Sequence, residues 1–263
     1  MKIIVLGDAF VDRYWVGRAV GMSAEAPIPT VKLDYRKECP GGAANVRMNL
    51  TSLGVDGRFL FPPLSRAQNW PIKNRLLVGD TQLARWDEDD FCMPYQREDL
   101  LELLDADGIV VSDYCKGAIS EEVIQVLKGV NIPLFVDTKG DPKVWVDSSA
   151  VLFPNLKEFR EFEESYSWLP QVVLKQGDMG MGLMQFGRVI LSRPAMAEKV
   201  VCVNGAGDTA LAAFVVAYLS GGNLEYCLEW ANAAAGVAVE NPYTYAPTKE
   251  EVDAKWQKMN SST

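Results

Sequence analysis

Apolar segments typical of buried strands alternate with helical patterns along most of this chain, and this alternation restricts the folds that it can adopt. Several short apolar runs have the composition of buried strands, namely Lys2–Leu6, Gly108–Ser112, Ile132–Val136, Ala150–Phe153 and Gln171–Leu174. Helical spacing covers Gly42–Leu53, Ser120–Lys128, Asn155–Glu164, Ala206–Leu219, Leu224–Val239 and Lys249–Lys258. The pattern predicts an α/β fold with a mainly parallel central sheet and helices on both faces.

Two stretches, approximately residues 13–37 and 72–87, do not follow the alternation. Both are strand-like, and they carry aromatic side chains expected to be exposed: Tyr14, Trp15, Tyr35 and Trp86. We predict that they pair as a small separate β-sheet. Such a sheet would either cover a site at the strand ends as a lid or supply a dimer surface, and we expect a homodimer through this lid.

Polar motifs follow several of the predicted strands, at the edge where a doubly wound sheet binds its ligands. Asp8 and Asp12 follow the first strand, and three later motifs follow other strands: Ser112–Gly117, Asp137–Gly140 and Asn155–Glu158. Each motif alone could be ordinary turn or cap chemistry, in which Asp, Asn and Gly abound. Their shared location is the better indication of a functional site.

The segment Asn204–Thr209 opens a long apolar helix and places Asp208 inside its first turn. Unpaired N–H groups at a helix start favour anions, and glycines let a phosphate approach the backbone closely. A carboxylate at this position would repel a phosphate, so its presence suggests a function. It would take a proton from an alcohol while the backbone amides hold the phosphate that the alcohol receives. The segment predicts phosphoryl transfer from a nucleotide to a hydroxyl group, although an Asp that merely complements the helix dipole would give the same pattern.

The chain contains no histidine. This excludes a Ser-His-Asp triad, a histidine metal site and a histidine general base. A general base must therefore be a carboxylate or, less readily, a Lys, Tyr or Cys side chain, which strengthens the case for Asp208.

Composition limits the partners and the compartment. A formal net charge of −9 over 263 residues, with a pI of about 4.7, argues against a nucleic-acid partner. A phosphate-bearing ligand must then be attracted by local cations and a metal ion. The five cysteines form no CxxC pair, and neither an N-terminal signal pattern nor an apolar run long enough for a membrane span is found. We expect a cytoplasmic protein with reduced thiols and no membrane partner.

Two glycine motifs, Gly41–Asn45 and Gly205–Asp208, resemble the two signatures of the ribokinase-like (PfkB-type) carbohydrate kinases. Collinear segments resemble most closely the kinases of ADP-heptose biosynthesis, which phosphorylate D-glycero-D-manno-heptose 7-phosphate at the 1-position: Gly7–Trp15, Ser23–Pro29, Pro40–Leu53, Ser112–Gly117, Asp137–Gly140, Pro154–Phe159 and Ala231–Val237. The resemblance implies a three-layer α/β/α sandwich with a small β-sheet lid, formed as one domain by residues 1–263.

The resemblance also implies a catalytic group and a sugar site. Asp208 would be the base, and the transferring phosphoryl group would lie on the backbone amides of Gly205, Ala206 and Gly207. Sugar hydroxyls would bind to Asp12, Gly42 and Asn45. Four cations would contact a phosphate already present on the sugar: Lys116, Lys139, Arg13 and Arg85.

For the donor, the resemblance implies ATP with Mg²⁺. Asn155 and Glu158 match the family's N-x-x-E motif, which organises Mg²⁺ largely through water, together with the nucleotide phosphates. Their i, i+3 spacing places both on one helical face. Asn232 would lie beside the adenine, and the nucleotide would be bordered by Lys175, Gly177 and Gly180.

The sequence departs from the family pattern in four places. Cys202 and Asn204 stand where the family usually has Asp-Thr-Thr or Asp-Val-Thr, and the loop Asn241–Tyr245 lacks the expected small residues. These changes predict weak or absent potassium activation. The chain is also shorter than its relatives between Phe59 and Lys73 and near Ser165–Pro170, and we expect no nucleotidyltransferase domain.

Two alternatives stay open: a kinase for a ribose- or fructose-type sugar, and a non-catalytic sugar- or nucleotide-binding relative.

Overall fold

The computed structural model describes residues 1–60, 70–79, 81–88 and 91–261. Its main sheet has eight strands in the order β12-β11-β10-β9-β8-β7-β1-β4. These strands are β1 Lys2–Gly7, β4 Asp56–Phe59, β7 Gly108–Asp113, β8 Leu134–Thr138, β9 Val151–Leu152, β10 Val172–Lys175, β11 Met181–Gln185 and β12 Arg188–Arg193. Pairing is parallel from β4 to β10, and only β10-β11-β12 is antiparallel.

Helices cover both faces of this sheet. The α-helices are α1 Ala43–Ser52, α2 Glu121–Lys128, α3 Leu156–Glu161, α4 Glu163–Ser167, α5 Ala206–Leu219, α6 Leu224–Val239 and α7 Lys249–Asn260, and short 3₁₀ helices span Arg97–Asp105, Pro142–Trp145 and Gly177–Met179. Side chains alternate along β1, so Ile3 and Val5 pack with α1, α5 and α6, while Ile4 and Leu6 pack with α2 and the first 3₁₀ helix. The three-layer α/β/α prediction is confirmed.

A second sheet forms the lid. Its strands are β2 Ala9–Met22, β3 Pro29–Gly42, β5 Ile72–Val78 and β6 Thr81–Glu88, in the order β3-β2-β5-β6. Because β2 follows β1 after a single residue, Asp8, and β3 runs directly into α1, the lid joins the main sheet at the carboxyl end of β1. The predicted lid is therefore present, and it adjoins the edge at which the polar motifs lie.

The structure differs from the predicted elements at a few positions. The helix predicted over Asn155–Glu164 is two short helices, because the backbone leaves helical geometry at Phe162. Strands β4, β11 and β12 were not predicted. The predicted shortening before Lys73 lies largely outside the described residues. No helix in the described part of the chain has the length and apolar character that a membrane crossing requires.

Candidate active site

The start of α5 forms a pocket for an anion beside the lid. Gly205 precedes the helix with φ +80°, in the left-handed region that favours glycine. A β-carbon there would lie 2.7 Å from Thr244 Cγ2 and 2.9 Å from Asn45 Nδ2, so only glycine is accommodated. The N–H groups of the first helical turn have no acceptor within the helix, although that of Ala206 donates to the carbonyl of Val203 at 3.4 Å. Such groups can bind an anion at this point.

Asp208 lies in the first turn of α5 and is 5% exposed. Asn45 Nδ2 donates to its Oδ2 at 2.8 Å, and the Tyr114 hydroxyl donates to its Oδ1 at 3.2 Å. Burial raises the pKa of Asp208 to about 6, although the Asn45 hydrogen bond opposes the rise. A carboxylate with this pKa is ionised at neutral pH yet basic enough to accept a proton from a sugar hydroxyl.

A cavity of about 640 Å³ opens beside Asp208. Its size is that of a small-molecule site. Its lining includes apolar side chains, namely Met181, Met196, Val200 and Val239, together with polar and charged groups. Many of the predicted site residues line it: Gly205, Ala206, Gly207, Asp208, Lys139, Asn155, Lys175, Gly177, Gly180 and Asn232. The cavity therefore offers apolar side chains to a nucleobase and charged groups to phosphates.

Buried Asp137, at the end of β8, holds two lysines in the polar end of the cavity. Lys139 Nζ lies 2.8 Å from Asp137 Oδ1, and Lys175 donates to Oδ2. Burial alone would raise the pKa of Asp137, but the two ammonium groups outweigh it and hold that pKa below its usual value. Lys175 Nζ lies 3.5 Å from the point where a β-carbon of Gly207 would be. Both cations thus line the cavity near the start of α5, where Lys139 lies apart from the cations of the lid, and its contact with a sugar phosphate stays a prediction.

Asn155 and Glu158 form a capping box at the start of α3. Asn155 Oδ1 accepts the N–H groups of Lys157 and Glu158, and Glu158 Oε2 accepts the N–H of Asn155 at 2.9 Å. Glu158 Oε1 meets Lys139 Nζ at 2.8 Å and Asn155 Nδ2 at 2.6 Å. Within the described residues, no three acidic or cysteine side chains gather to ligate a metal directly. Mg²⁺ commonly keeps several waters and binds substrate phosphates, so this donor set fits a cation held through water.

On the lid side of Asp208, Asp12 lies among the glycines that end β3. Gly42 has φ +59°, and a β-carbon there would lie 2.2 Å from the carbonyl oxygen of Asp8. Asp12 Oδ2 lies 2.8 Å from the point where a β-carbon of Gly41 would be, and Arg75 Nη2 is 3.0 Å from Oδ1. Asp12, Gly42 and Asn45 therefore lie along one path from the lid to Asp208, and their binding of the sugar stays a prediction.

Cations gather around Asp12 on the lid face that looks toward the main sheet, here called the inner face (Asp12, Tyr14, Lys73, Arg75). Lys73 is 8% exposed, and its Nζ lies 3.5 Å from the centroid of the Phe10 ring and 4.4 Å from that of Tyr114. Burial lowers the pKa of Lys73 to about 8, and its charged neighbours are Asp12, Lys116, Arg85 and Asp87. The predicted contacts Lys116 and Arg85 thus belong to one cluster with Lys73.

Arg13 lies on the opposite, outer face of the lid (Arg13, Trp15, Asn74, Trp86), because side chains alternate along β2. Its Nε donates to Glu38 Oε1 at 2.8 Å, and its guanidinium carbon lies 6.0 Å from the Trp15 ring centroid. The structure therefore does not bring Arg13 to the predicted sugar-phosphate contacts. The stacked Trp15 and Trp86 rings on this face are compatible with a dimer surface, and the homodimer stays a prediction.

Two of the departures from the family pattern, Asn204 and the loop Asn241–Tyr245, meet in one hydrogen-bonded group. The Tyr14 hydroxyl, on the inner face of the lid, shares a hydrogen bond with Thr244 Oγ1 at 3.0 Å and accepts one from Asn204 Nδ2 at 3.4 Å. Side chains thus connect the lid, the loop before Gly205 and the loop after α6. Weak or absent potassium activation stays a prediction.

Four residues of the site had no role in the sequence analysis: Lys73, Arg75, Tyr114 and Asp137. Tyr114 and Asp137 lie inside motifs that the sequence analysis identified. Lys73 and Arg75 are two residues apart on β5, a spacing that places both on one face of a strand. That spacing was the available signal.

A profile of the pfkB family carbohydrate kinases matches residues 79–251. The chain belongs to the pfkB family of carbohydrate kinases. The bifunctional protein HldE of Pectobacterium atrosepticum is 31% identical over 95% of this chain and 62% of its own length. HldE of Yersinia pestis is 34% identical over 90% of this chain and 60% of its own length. The chain thus spans about 60% of the length of these curated relatives.

Solved structures of the family share the fold. Arabidopsis thaliana ribokinase, solved with ribose and ATP, has a TM-score of 0.76 at 20% identity and covers 97% of this chain and 98% of its own. Escherichia coli phosphofructokinase-2 has a TM-score of 0.78 at 14% identity over 99% of both chains. The predicted ribokinase-like fold is therefore confirmed.

Proposed function

We propose that this kinase phosphorylates a sugar that already carries a phosphate, with D-glycero-D-manno-heptose 7-phosphate as the acceptor and its 1-hydroxyl as the nucleophile. The observation that carries the proposal is a group of cations next to the path to Asp208. Lys73, Arg75 and Arg85 surround Asp12, and Lys116 adjoins Lys73 and Arg85. A chain with a net charge of −9 repels anionic substrates at long range, so a local group of cations at the acceptor site points to an anionic acceptor.

Arg75 supports this assignment through an atom that lacks an acceptor. Its Nη2 pairs with Asp12, but its buried Nε meets no hydrogen-bond acceptor among the described residues. Buried donors are rarely left without a partner, and a substrate oxygen would supply one. Asp12 would accept from a sugar hydroxyl, while Arg75, Lys73, Arg85 and Lys116 would bind the phosphate.

The proposed chemistry is an in-line transfer. Asp208 takes the proton of the attacking hydroxyl, the hydroxyl oxygen bonds to the γ-phosphorus of ATP, and the bond from that phosphorus to ADP breaks. The backbone amides of Gly205, Ala206 and Gly207, with Lys175 beside them, stabilise the charge on the transferring group. Mg²⁺, held through water near Asn155 and Glu158, would neutralise charge on the donor phosphates. Lys139 would contact those phosphates, Gly177 and Gly180 would border the nucleotide, and Asn232 would lie beside the adenine.

A panel of acceptors tests the proposal. ADP release is measured with ATP and Mg²⁺ for heptose 7-phosphate, unphosphorylated heptose, ribose, fructose and fructose 6-phosphate. We expect the largest kcat/KM for heptose 7-phosphate. A preference for a free sugar over its phosphate would contradict the acceptor assignment, and silence on every acceptor would favour a binding relative.

The pH profile gives a second expected result. At saturating substrates, kcat should rise as pH increases through about 6, because Asp208 must be ionised to act as a base. For the phosphorylated acceptor, kcat/KM should fall above about pH 8, where Lys73 loses the proton that gives it charge. The profile is measured by ADP release from pH 5 to 9.5, roughly one pH unit or more beyond each limb. A flat profile across the acid limb would rule out Asp208 as the base.

A further inference from the structure

Tyr114 contacts Asp208, although the proposed mechanism leaves its hydroxyl without a role. The hydroxyl donates to Asp208 Oδ1 at 3.2 Å, opposite the Asn45 donor on Oδ2. Burial and the neighbouring Asp208 raise the pKa of the Tyr114 hydroxyl well above its ordinary value, so it keeps its proton throughout the working pH range. It is therefore a donor to Asp208 at every pH at which the enzyme would work.

The loop that carries Tyr114 is fixed by the buried carboxylate of Asp8. Asp8 Oδ2 accepts the backbone N–H of Tyr114 at 2.8 Å and that of Lys116 at 2.9 Å, while Oδ1 accepts that of Ala118 at 3.0 Å. Asp8 has no exposed surface, and hydrogen bonds to a buried carboxylate are strong. The backbone under Tyr114 is thus held from three points.

The ring of Tyr114 is also held in place. It packs edge-on against Phe10 with centroids 5.0 Å apart. Lys73 Nζ on the acceptor side lies 4.4 Å from the Tyr114 centroid, and Lys139 Nζ on the nucleotide side lies 5.1 Å from it. Cations near an aromatic ring restrain it by attraction to its face. The ring therefore stands between the two groups of lysines, with its hydroxyl aimed at the base.

We propose that Tyr114 is a positioning residue, whose hydroxyl fixes the Asp208 carboxylate so that its remaining lone pairs face the acceptor hydroxyl. Each carboxylate oxygen has two acceptor positions, so Tyr114 and Asn45 together leave one on each oxygen for the substrate. This inference rests on the proposed function, because it takes Asp208 as the base. It adds a second donor that orients Asp208 and stabilises its ionised form.

The test is Tyr114→Phe, which keeps the ring and removes only the hydroxyl. We expect kcat to fall by about tenfold from the loss of orientation. The acid limb of the kcat profile should move up by about one pH unit, because a donor to the charged form is lost. The other charged groups that face Asp208, which are Asp137, Lys139 and Lys175, are unchanged in this variant.

Tyr95→Phe is the matched control. The Tyr95 hydroxyl accepts from the N–H of Gly7 and donates to the carbonyl of Leu60 at 2.6 Å, so it is buried and hydrogen-bonded without contact to Asp208. We expect a lower melting temperature for this variant and an acid limb that matches wild type. If Tyr114 had only a structural role, Tyr114→Phe would likewise show a lower melting temperature and an acid limb that matches wild type. That outcome would overturn the proposal.

A measurement that needs no turnover separates this inference from the proposed function. The carboxyl carbons of ¹³C-aspartate-labelled protein are titrated by NMR, with the Asp208 signal assigned by its loss in Asp208→Asn. We expect a higher titration midpoint for Asp208 in Tyr114→Phe than in wild type. An unchanged midpoint would refute the Tyr114 contact even in an active kinase, whereas inactivity of wild type on every acceptor would refute only the proposed function.

Discussion

Replacing Asp208 by asparagine should reduce kcat by a factor on the order of 10² to 10⁴ and leave ATP binding nearly intact. The amide has the size of the carboxylate but cannot take the proton of the acceptor hydroxyl. The cavity for the nucleotide is lined by many other groups, including Lys139, Asn155 and Lys175, which the substitution does not change. Single-turnover ADP formation and calorimetric titration with ATP measure the two quantities separately.

The same variant should not lose stability. Burial raises the pKa of Asp208 from 3.8 to about 6, so the fold disfavours its charge. Because folding raises this carboxyl pKa, the free energy of unfolding decreases as pH rises from the unfolded-state pKa to the folded-state pKa. Above the folded-state pKa the whole destabilisation is present. At pH 8 the melting temperature of Asp208→Asn should therefore equal or exceed that of wild type. Residues that serve activity often lower stability, so their replacement can stabilise a protein.

Exposed Asp147, which precedes β9 at the amino edge of the sheet, provides the matched control. Asp147→Asn makes the same change in charge and size far from the carboxyl edge, and kcat should not change. Near-normal turnover in Asp208→Asn would instead assign the proton transfer to another group. Loss of ATP binding in that variant would indicate a role in the nucleotide site.

The sequence predicted the layers of the fold and the edge at which the site lies. This succeeded because strands such as Lys2–Gly7 are apolar on both faces, while the polar residues that follow them are restricted to the carboxyl edge. Asp208 was identifiable because a carboxylate in the first turn of an apolar helix, in a chain without histidine, leaves few other candidate bases. These features are local in the sequence.

The contacts between separate segments were not predictable from local pattern. Lys139 and Lys116 occur in similar motifs after neighbouring strands, yet Asp137 and Glu158 hold Lys139 in the lining of the cavity beside Asp208. Arg13 is adjacent to Asp12 in sequence, but strand alternation places it on the other face of the lid. The position of each cation depends on strand register and on partners that are distant in sequence. Neither can be predicted from a single motif.

In the proposed reaction, the positions of the charges would explain how one small site brings two anionic substrates together. Lys139 and Lys175 are paired with Asp137 and Glu158, so lysines that are already fixed would meet part of the charge of the donor phosphates. On the acceptor side, Lys73 is buried against rings without an ion-pair contact in the described residues. Its charge is costly in the free protein, and an acceptor phosphate would relieve that cost.

Replacing Lys73 by methionine should therefore change which acceptor the enzyme prefers. Methionine keeps an unbranched chain against Phe10 and Tyr114 but removes the ammonium. We expect kcat/KM for heptose 7-phosphate to fall about 10- to 100-fold, because one hydrogen bond between charged groups is lost. The value of kcat/KM for unphosphorylated heptose should stay constant. The decrease above about pH 8 should also disappear, because the group that titrates there is gone.

Lys32→Met on lid strand β3 is the control, since Lys32 is exposed and the substitution makes the same change in charge on the same sheet. It should leave both acceptors unaffected. The lowered pKa of Lys73 shows that the fold disfavours its charge, so Lys73→Met should melt no lower than wild type at pH 7. Equal losses for the phosphorylated and unphosphorylated acceptors would show that Lys73 only supports Phe10 and Tyr114, whereas a selective loss would assign it to the phosphate of the acceptor.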